Sequence, residues 1–155
     1  MKKILLQIWS ILPGWMERIA SAVVRPNYRV VAGAIIVNER GQLLLCKHTY
    51  RRQMPWGLPG GDIKFREDPA DAVRRELWEE TGLSVQKTRL LLVEGSQEVR
   101  KVILTYLCTG TSGTFTPNEE VSTIQYFDPC RLPAFPVEQQ VTIEKALAIL
   151  KNGSG

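Results

Sequence analysis

A chain of 155 residues, 44% of them hydrophobic, fits one domain with an ordinary core, and nothing in its composition indicates disorder or repeats. The net charge of +4 is spread along the chain, which lends mild support to an anionic ligand and none to a dedicated nucleic-acid surface. Three cysteines, Cys46, Cys108 and Cys130, lack metal-ligand spacing and are expected as reduced core residues of a cytoplasmic protein.

Residues 1–26 form the first segment. Ile4, Leu5, Ile8, Trp9, Leu12, Trp15, Met16 and Ile19 recur at spacings of three and four, which predicts one or two amphipathic helices broken at Pro13-Gly14. Lys2, Lys3 and the apolar run that follows resemble a signal peptide, but Gln7 and Ser10 interrupt the run and Glu17 and Arg18 sit close to the cleavage position. No run is long enough to cross a membrane. The apolar face needs a cover. Packing on the domain or on a second subunit, giving a homodimer through these helices, ranks first, a membrane surface second and secretion third.

A domain is expected over residues 27–151, followed by a short tail. Arg29 to Val37 and Gln42 to Lys47 read as strands rich in β-branched and apolar residues, joined by the hairpin turn Asn38-Glu39-Arg40-Gly41. Gly33 inside the first strand suggests close approach of a backbone or ligand, and a packing explanation serves as well. His48 to Met54 reads as a polar loop. Arg51 and Arg52 are candidates to meet phosphate, against the simpler reading of solvated side chains, and the single histidine, His48, is weighed in the same way. Trp56 is either a base-stacking platform or a core anchor.

A helix is predicted from Pro69 to Thr81, with Asp68 as N-cap, Pro69 at the first helical position and Gly82 just past the end. Ala70, Val73 and Leu77 form its apolar stripe. Glu76, Glu79 and Glu80 share another face at i, i+3 and i+4. Two of them lie in the last turn, where the helix dipole disfavours negative charge and mutual repulsion adds a few tenths of a kcal/mol per pair, on the order of 0.3. A hard divalent cation bound by oxygen would turn that repulsion into attraction. The plainer reading is a solvated acidic helix end. Trp78 points away from both faces, and a large exposed ring calls for a partner, here the N-terminal helices or a second subunit.

Arg89 to Glu98 and Lys101 to Thr109 are expected as an antiparallel pair with Val99-Arg100 near the turn, and Ile124 to Phe127 as a further strand. Gly110 to Val121 is turn-rich and carries Glu119 and Glu120. Val137 to Leu150 closes the domain as an amphipathic helix. Uneven alternation of strands and helices, with antiparallel pairs, indicates α+β with helices on both faces of a mixed sheet.

Gly61, Glu67 and the run Arg75-Glu76-Leu77-Trp78-Glu79-Glu80-Thr81-Gly82-Leu83 together resemble the signature of the Nudix hydrolases at every fixed position. The resemblance covers roughly residues 28–150 and implies the Nudix α/β/α sandwich. It also implies metal-dependent hydrolysis of a diphosphate linkage in a nucleoside diphosphate derivative such as an NTP, a nucleotide sugar or ADP-ribose. By that resemblance Glu76, Glu79, Glu80 and the Gly60 carbonyl hold Mg²⁺ or Mn²⁺. Glu67 and Arg75 support them, and the general base comes from Glu76, Glu119 or Glu120, with Glu98 as a weaker candidate. Glu120 matches the place of a catalytic acid in many relatives, although one residue of register would substitute Glu119. The stretch before the signature often lines the substrate pocket, which favours Arg51, Arg52 and Trp56. Many relatives have glutamate and glycine where Lys64 and Arg66 stand, so the loop here is more basic and lacks one flexible position. A nucleotide-binding module without catalysis is the competing class, and a membrane-surface role of residues 1–26 a third.

Overall fold

The computed structural model describes residues 13–16, 28–96 and 100–152. The predicted N-terminal helices, the covering role assigned to them and Glu98 lie largely or wholly outside these residues. Seven strands and two long helices follow in order: β1 (Arg29–Ile36), β2 (Leu43–His48), β3 (Trp56–Gly57), β4 (Gly60–Asp62), α1 (Pro69–Thr81), β5 (Ser84–Ser96), β6 (Lys101–Ser112), β7 (Val121–Phe127) and α2 (Val137–Asn152). Among the described residues no helix is long and apolar enough to cross a membrane.

The strands form two sheets. A mixed sheet has the order β4-β1-β6-β5, with β1 and β6 parallel and the outer pairs antiparallel. An antiparallel sheet has the order β3-β2-β7. The expected hairpin between β1 and β2 is reduced to the single bridge Val37 to Leu43. A strand has only two edges, and those of β1 are taken by β4 and β6. The turn itself forms as expected: the Asn38 side chain accepts the amides of Arg40 and Gln42, and Gly41 adopts φ 75°.

Alternation along β1 separates the two layers of core. Ala32, Ala34 and Ile36 face Ala72, Val73 and Leu77 of α1, whereas Ile35 faces Ile143 and Ala146 of α2. β2 divides in the same way, with Leu44 toward α1 and Leu43 and Leu45 toward α2. The helices therefore cover opposite faces of the strands. Leu77 is fully buried, a contribution of about 2 kcal/mol relative to an exposed side chain.

Helix α1 begins and ends where its sequence signals place it. The Asp68 side chain accepts the Ala70 amide, and Gly82 closes the helix at φ 70° with its N–H on the Trp78 carbonyl. Strand β5 starts at Ser84, five residues earlier than expected, because β6 continues to Ser112 and pairs with it along that length. Cys46 and Cys108 are buried, but Cys130 is exposed in the turn after Asp128, where short polar contacts and not a core surround it. Trp78 is 62% exposed among the described residues.

Candidate active site

The loop from Pro59 to Asp68 and the outer face of α1 meet at two glycines. A Cβ at Gly60 would lie 2.2 Å from the Ala32 carbonyl oxygen, and the residue sits at φ 142°, so only glycine lets this loop lie against β1. A Cβ at Gly61 would lie 2.5 Å from Glu76 Oε2. The Glu76 carboxylate thus rests directly on the loop backbone.

Arg75 organises the acidic face. Its Nε and Nη2 donate to the two oxygens of Glu67 at 2.7 and 2.8 Å, its Nη1 to Glu76 Oε1 at 2.6 Å and Glu79 Oε2 at 3.0 Å, and Nη2 also to the Asp62 carbonyl at 3.0 Å. Glu67 further accepts the Lys64 amide. The hydrogen bonds from Arg75, then that from Lys64, hold the Glu67 carboxyl down to about 2, and the hydrogen bonds to Glu67, then to Glu76 and Glu79, raise the Arg75 guanidinium. Lys64 also approaches Glu79 at 3.6 Å. Arg66 stands at φ 64°, in the left-handed region that favours glycine.

Glu80 turns inward from the other two glutamates. It is 3% exposed and accepts the Gly60 amide through Oε2 at 2.9 Å. Burial pushes its carboxyl up to about 8; the charges of Glu76 and Glu120 add to this, while the Gly60 amide and Arg51 oppose it. Of the two neighbouring loop glutamates, Glu120 adds its charge to this rise. Both belong to a loop tied to the site: Thr49 binds the Glu119 and Glu120 carbonyls, and Asn118 Nδ2 donates to the Glu79 and Glu80 carbonyls at the end of α1.

His48 is the largest departure from the sequence reading. It ends β2 and is 2% exposed, not a solvated loop side chain. Its Nδ1 lies 3.8 Å from Glu80 Oε1, yet this is no ion pair at neutral pH: burial, then the nearby Arg51, lowers the imidazole to about 4, while Glu80 is raised. The missed signal was the partly apolar run Leu43 to His48, in which His48 continues the inward phase of Leu44 and Cys46.

Arg51 and Arg52 separate. Arg52 is exposed, whereas Arg51 reaches inward beside Gly57, with a buried Nη1 that meets no hydrogen-bond acceptor. Trp56 packs edge-on against Phe127, with ring centres 4.9 Å apart, in the core beneath α2. Next to Gly60 and Arg51 opens a cavity of about 360 Å³ between the mixed sheet and the first turns of α2.

Among the described residues no three acidic side chains converge as a preformed metal cluster. Arg75 engages Glu76 and Glu79 while the Gly60 amide engages Glu80, and the donor set is wholly of hard oxygen and suits Mg²⁺ or Mn²⁺ better than zinc. A buried Glu80 carboxyl flanked by like charges is also an environment that a cation would relieve.

The NUDIX domain profile matches residues 27–145. A MutT-like protein of Streptomyces ambofaciens is 29% identical over 115 residues, 74% of this chain and 73% of that protein. An RNA pyrophosphohydrolase of Hamiltonella defensa is 41% identical over 65 residues, 42% of this chain but only 39% of the relative. The crystal structure of a MutT NUDIX hydrolase from Burkholderia pseudomallei superposes with a TM-score of 0.68 at 28% identity, covering 77% of this chain and 98% of that one. Motif, sandwich and profile coincide on one stretch of sequence, and the chain belongs to the Nudix domain family.

Proposed function

We propose that this protein is a divalent-metal-dependent pyrophosphohydrolase that cleaves a diphosphate linkage in a nucleoside diphosphate derivative. The observation that carries this reading is the Arg75 hub, which ties Glu67, Glu76 and Glu79 to the loop on which the Gly60 amide holds Glu80. The relatives' printed activities, pyrophosphohydrolase and NUDIX hydrolase, support it.

Glu76, Glu79, Glu80 and the Gly60 carbonyl would hold Mg²⁺, with Mn²⁺ as a substitute. Such an ion, when bound, would neutralise diphosphate charge and lower the pKa of a bound water. The chain's own residues do the rest. Arg75 fixes the directions of Glu76 and Glu79 and ties both to the loop through Glu67. The Gly60 amide holds Glu80 by one oxygen and leaves the other unbound. Arg51, a half-buried cation whose Nη1 is an unmatched donor, serves the phosphate or its substituent, and the exposed Arg52 and packed Trp56 have weaker claims. For the proton-accepting role, Glu120 is favoured over Glu119 because its charge reaches Glu80, with Glu76 as the other candidate.

The test is chromatographic product analysis with Mg²⁺ on nucleoside triphosphates, nucleotide sugars, ADP-ribose and dinucleoside polyphosphates. Release of a nucleoside monophosphate, lost with Mg²⁺ removal and reduced by orders of magnitude, roughly 100-fold or more, in Glu79→Gln, is expected. Nucleotide binding without turnover in any member of the panel would mark a binding module instead.

A further inference from the structure

The longest open edge of either sheet belongs to β5. It ends the order β4-β1-β6-β5 and runs for 13 residues, against seven for β7, three for β4 and two for β3 at the other edges. Among the described residues no strand pairs with its outer side. A row of free N–H and C=O groups of that length is a template for another strand.

The side chains along β5 fall into a definite pattern. Leu90 and Val93 are 46% and 56% exposed. They pair with Tyr106 and Leu104 of β6, two steps apart, so both stand on the α1 face and direct their backbone groups to the same side. The exposed Arg89 and the partly buried Glu94 pair with Leu107 and Ile103, four steps apart, and so share the α2 face. Glu94 there accepts Thr142 and Lys145, and a carboxylate has about four acceptor sites, which leaves room for a guanidinium. The bulge between Leu90 and Leu92 brings this about, because the extra residue lets side chains an odd number apart in sequence share a face.

These positions are complementary to themselves. Let a second β5 lie antiparallel about a two-fold axis at the bulge. Leu91 then stands opposite the partner's Leu92, Leu90 opposite the partner's Val93 and Arg89 opposite the partner's Glu94. Each pair comes from one face, apolar meets apolar, cation meets anion, and the symmetry makes every contact twice. A shift of one residue sets side chains of the α1 face against those of the α2 face. A shift of two sets Val93 against the partner's Thr88, or Leu90 against the partner's Gly95, and the apolar contacts are lost.

We infer that two copies of this chain pair β5 with β5 in that register and form a symmetric dimer. The two mixed sheets become one, and the candidate sites, on the β4 side of each, lie at its opposite ends. This is a different dimer from the one expected through the N-terminal helices, and it does not depend on the proposed reaction.

The test is sedimentation equilibrium of the full chain. A dimer with a dissociation constant of about 100 µM or tighter is expected. Arg89→Glu sets like charges opposite each other, and Val93→Lys puts a cation into the apolar contact; each should weaken the dimer about tenfold or more. Both side chains are exposed, so the fold is retained, and circular dichroism checks it. The register is read by disulfide trapping in a Cys130→Ser background. Leu90→Cys mixed with Val93→Cys should cross-link under mild oxidation and neither variant alone, because opposed Cα atoms lie about 4.5–5.5 Å apart, within disulfide reach. A monomer at about 100 µM, a dimer that neither substitution weakens, as when residues 1–26 join the copies, or cross-linking of Leu90→Cys with itself in preference to Val93→Cys would overturn the inference.

Discussion

Arg75 grips Glu67 by two parallel hydrogen bonds, Nε to Oε1 and Nη2 to Oε2, across eight residues of sequence. A lysine cannot reproduce that fork or reach Glu76 and Glu79 at the same time. Arg75→Lys should lower kcat by about 10–100-fold, a range set by supporting residues at metal sites. The Glu67 carboxyl, held near 2 in the folded state against an ordinary value of 4.5, adds a pH signature. Its folded value is depressed, so its stabilising contribution is complete above the ordinary value and fades as pH falls toward 2. In urea titrations over that window, wild type should lose more stability than Glu67→Gln. Parallel curves would contradict the assignment.

Glu80 carries the opposite sign. Its folded carboxyl lies near 8, above the ordinary 4.5, so the folded state binds a proton more tightly than the unfolded chain. Between 4.5 and 6.5 the loss from Glu80 is offset by His48, whose lowered value of about 4 adds stability as pH rises toward its ordinary 6.5, so metal-free protein should lose stability chiefly as pH rises from 6.5 to 8. Glu80→Gln keeps an oxygen for the Gly60 amide and removes the titration. Its melting temperature should exceed that of metal-free wild type at pH near 8 while its turnover falls by orders of magnitude, roughly 100-fold or more. A melting temperature equal to or below wild type at that pH would count against the buried-carboxyl account.

Arg66 occupies a left-handed conformation at φ 64°. A side chain with a Cβ pays about 1–2 kcal/mol there, and glycine does not. Arg66→Gly loses the stacking on the exposed Phe65 ring, a minor term for a solvated pair, and should still stabilise the protein by about 1 kcal/mol. For a domain of this size, that is a rise in melting temperature of about 2–4 °C by calorimetry. An unchanged or lower midpoint would show that the loop draws no strain from this residue.

The adjacent glycines should respond differently to alanine. At Gly60 the new methyl collides with the Ala32 backbone at a φ that L residues avoid, so Gly60→Ala should destabilise the whole domain by several kcal/mol, about 3 or more. At Gly61 the collision is with the movable end of Glu76. Gly61→Ala should leave the melting temperature within a few degrees while activity falls. Denaturant melts and turnover on the two variants give the comparison, and similar stability losses in both would remove the distinction.

Local signals were easiest to read. Asp68, Pro69 and Gly82 fixed α1 because capping acts within a few residues, and Asn38 to Gly41 fixed a turn for the same reason. The division into two sheets was not legible, since the pairing of β1 with β6 joins residues 72 positions apart, as in Arg29 with Lys101. His48 was misread because a single polar side chain at a strand end looks the same whether it faces water or the interior. At the site, helical spacing placed Glu76, Glu79 and Glu80 on one face, but burial of Glu80 alone depends on the loop that Gly60 brings to it. Gly33 was flagged for a close approach: it pairs with Gly60, whose added Cβ would fall 2.8 Å from the Gly33 Cα, although a Cβ on Gly33 itself would meet nothing nearer than the Pro59 carbonyl oxygen at 4.0 Å.

The single bridge between Val37 and Leu43 has a consequence for how the site keeps its shape. Gly60 and Gly61 ride on one sheet, while Thr49 and the segment leading to Glu120 ride on the other. Their separation is not set by a continuous ladder of backbone hydrogen bonds but by the covalent crossing at Leu58-Pro59, the Asn118 tether to α1 and side chains wedged between the layers. Catalytic alignment is then partly a property of the hydrophobic interior, and trimming a buried side chain far from any phosphate can detune the chemistry before it unfolds the protein.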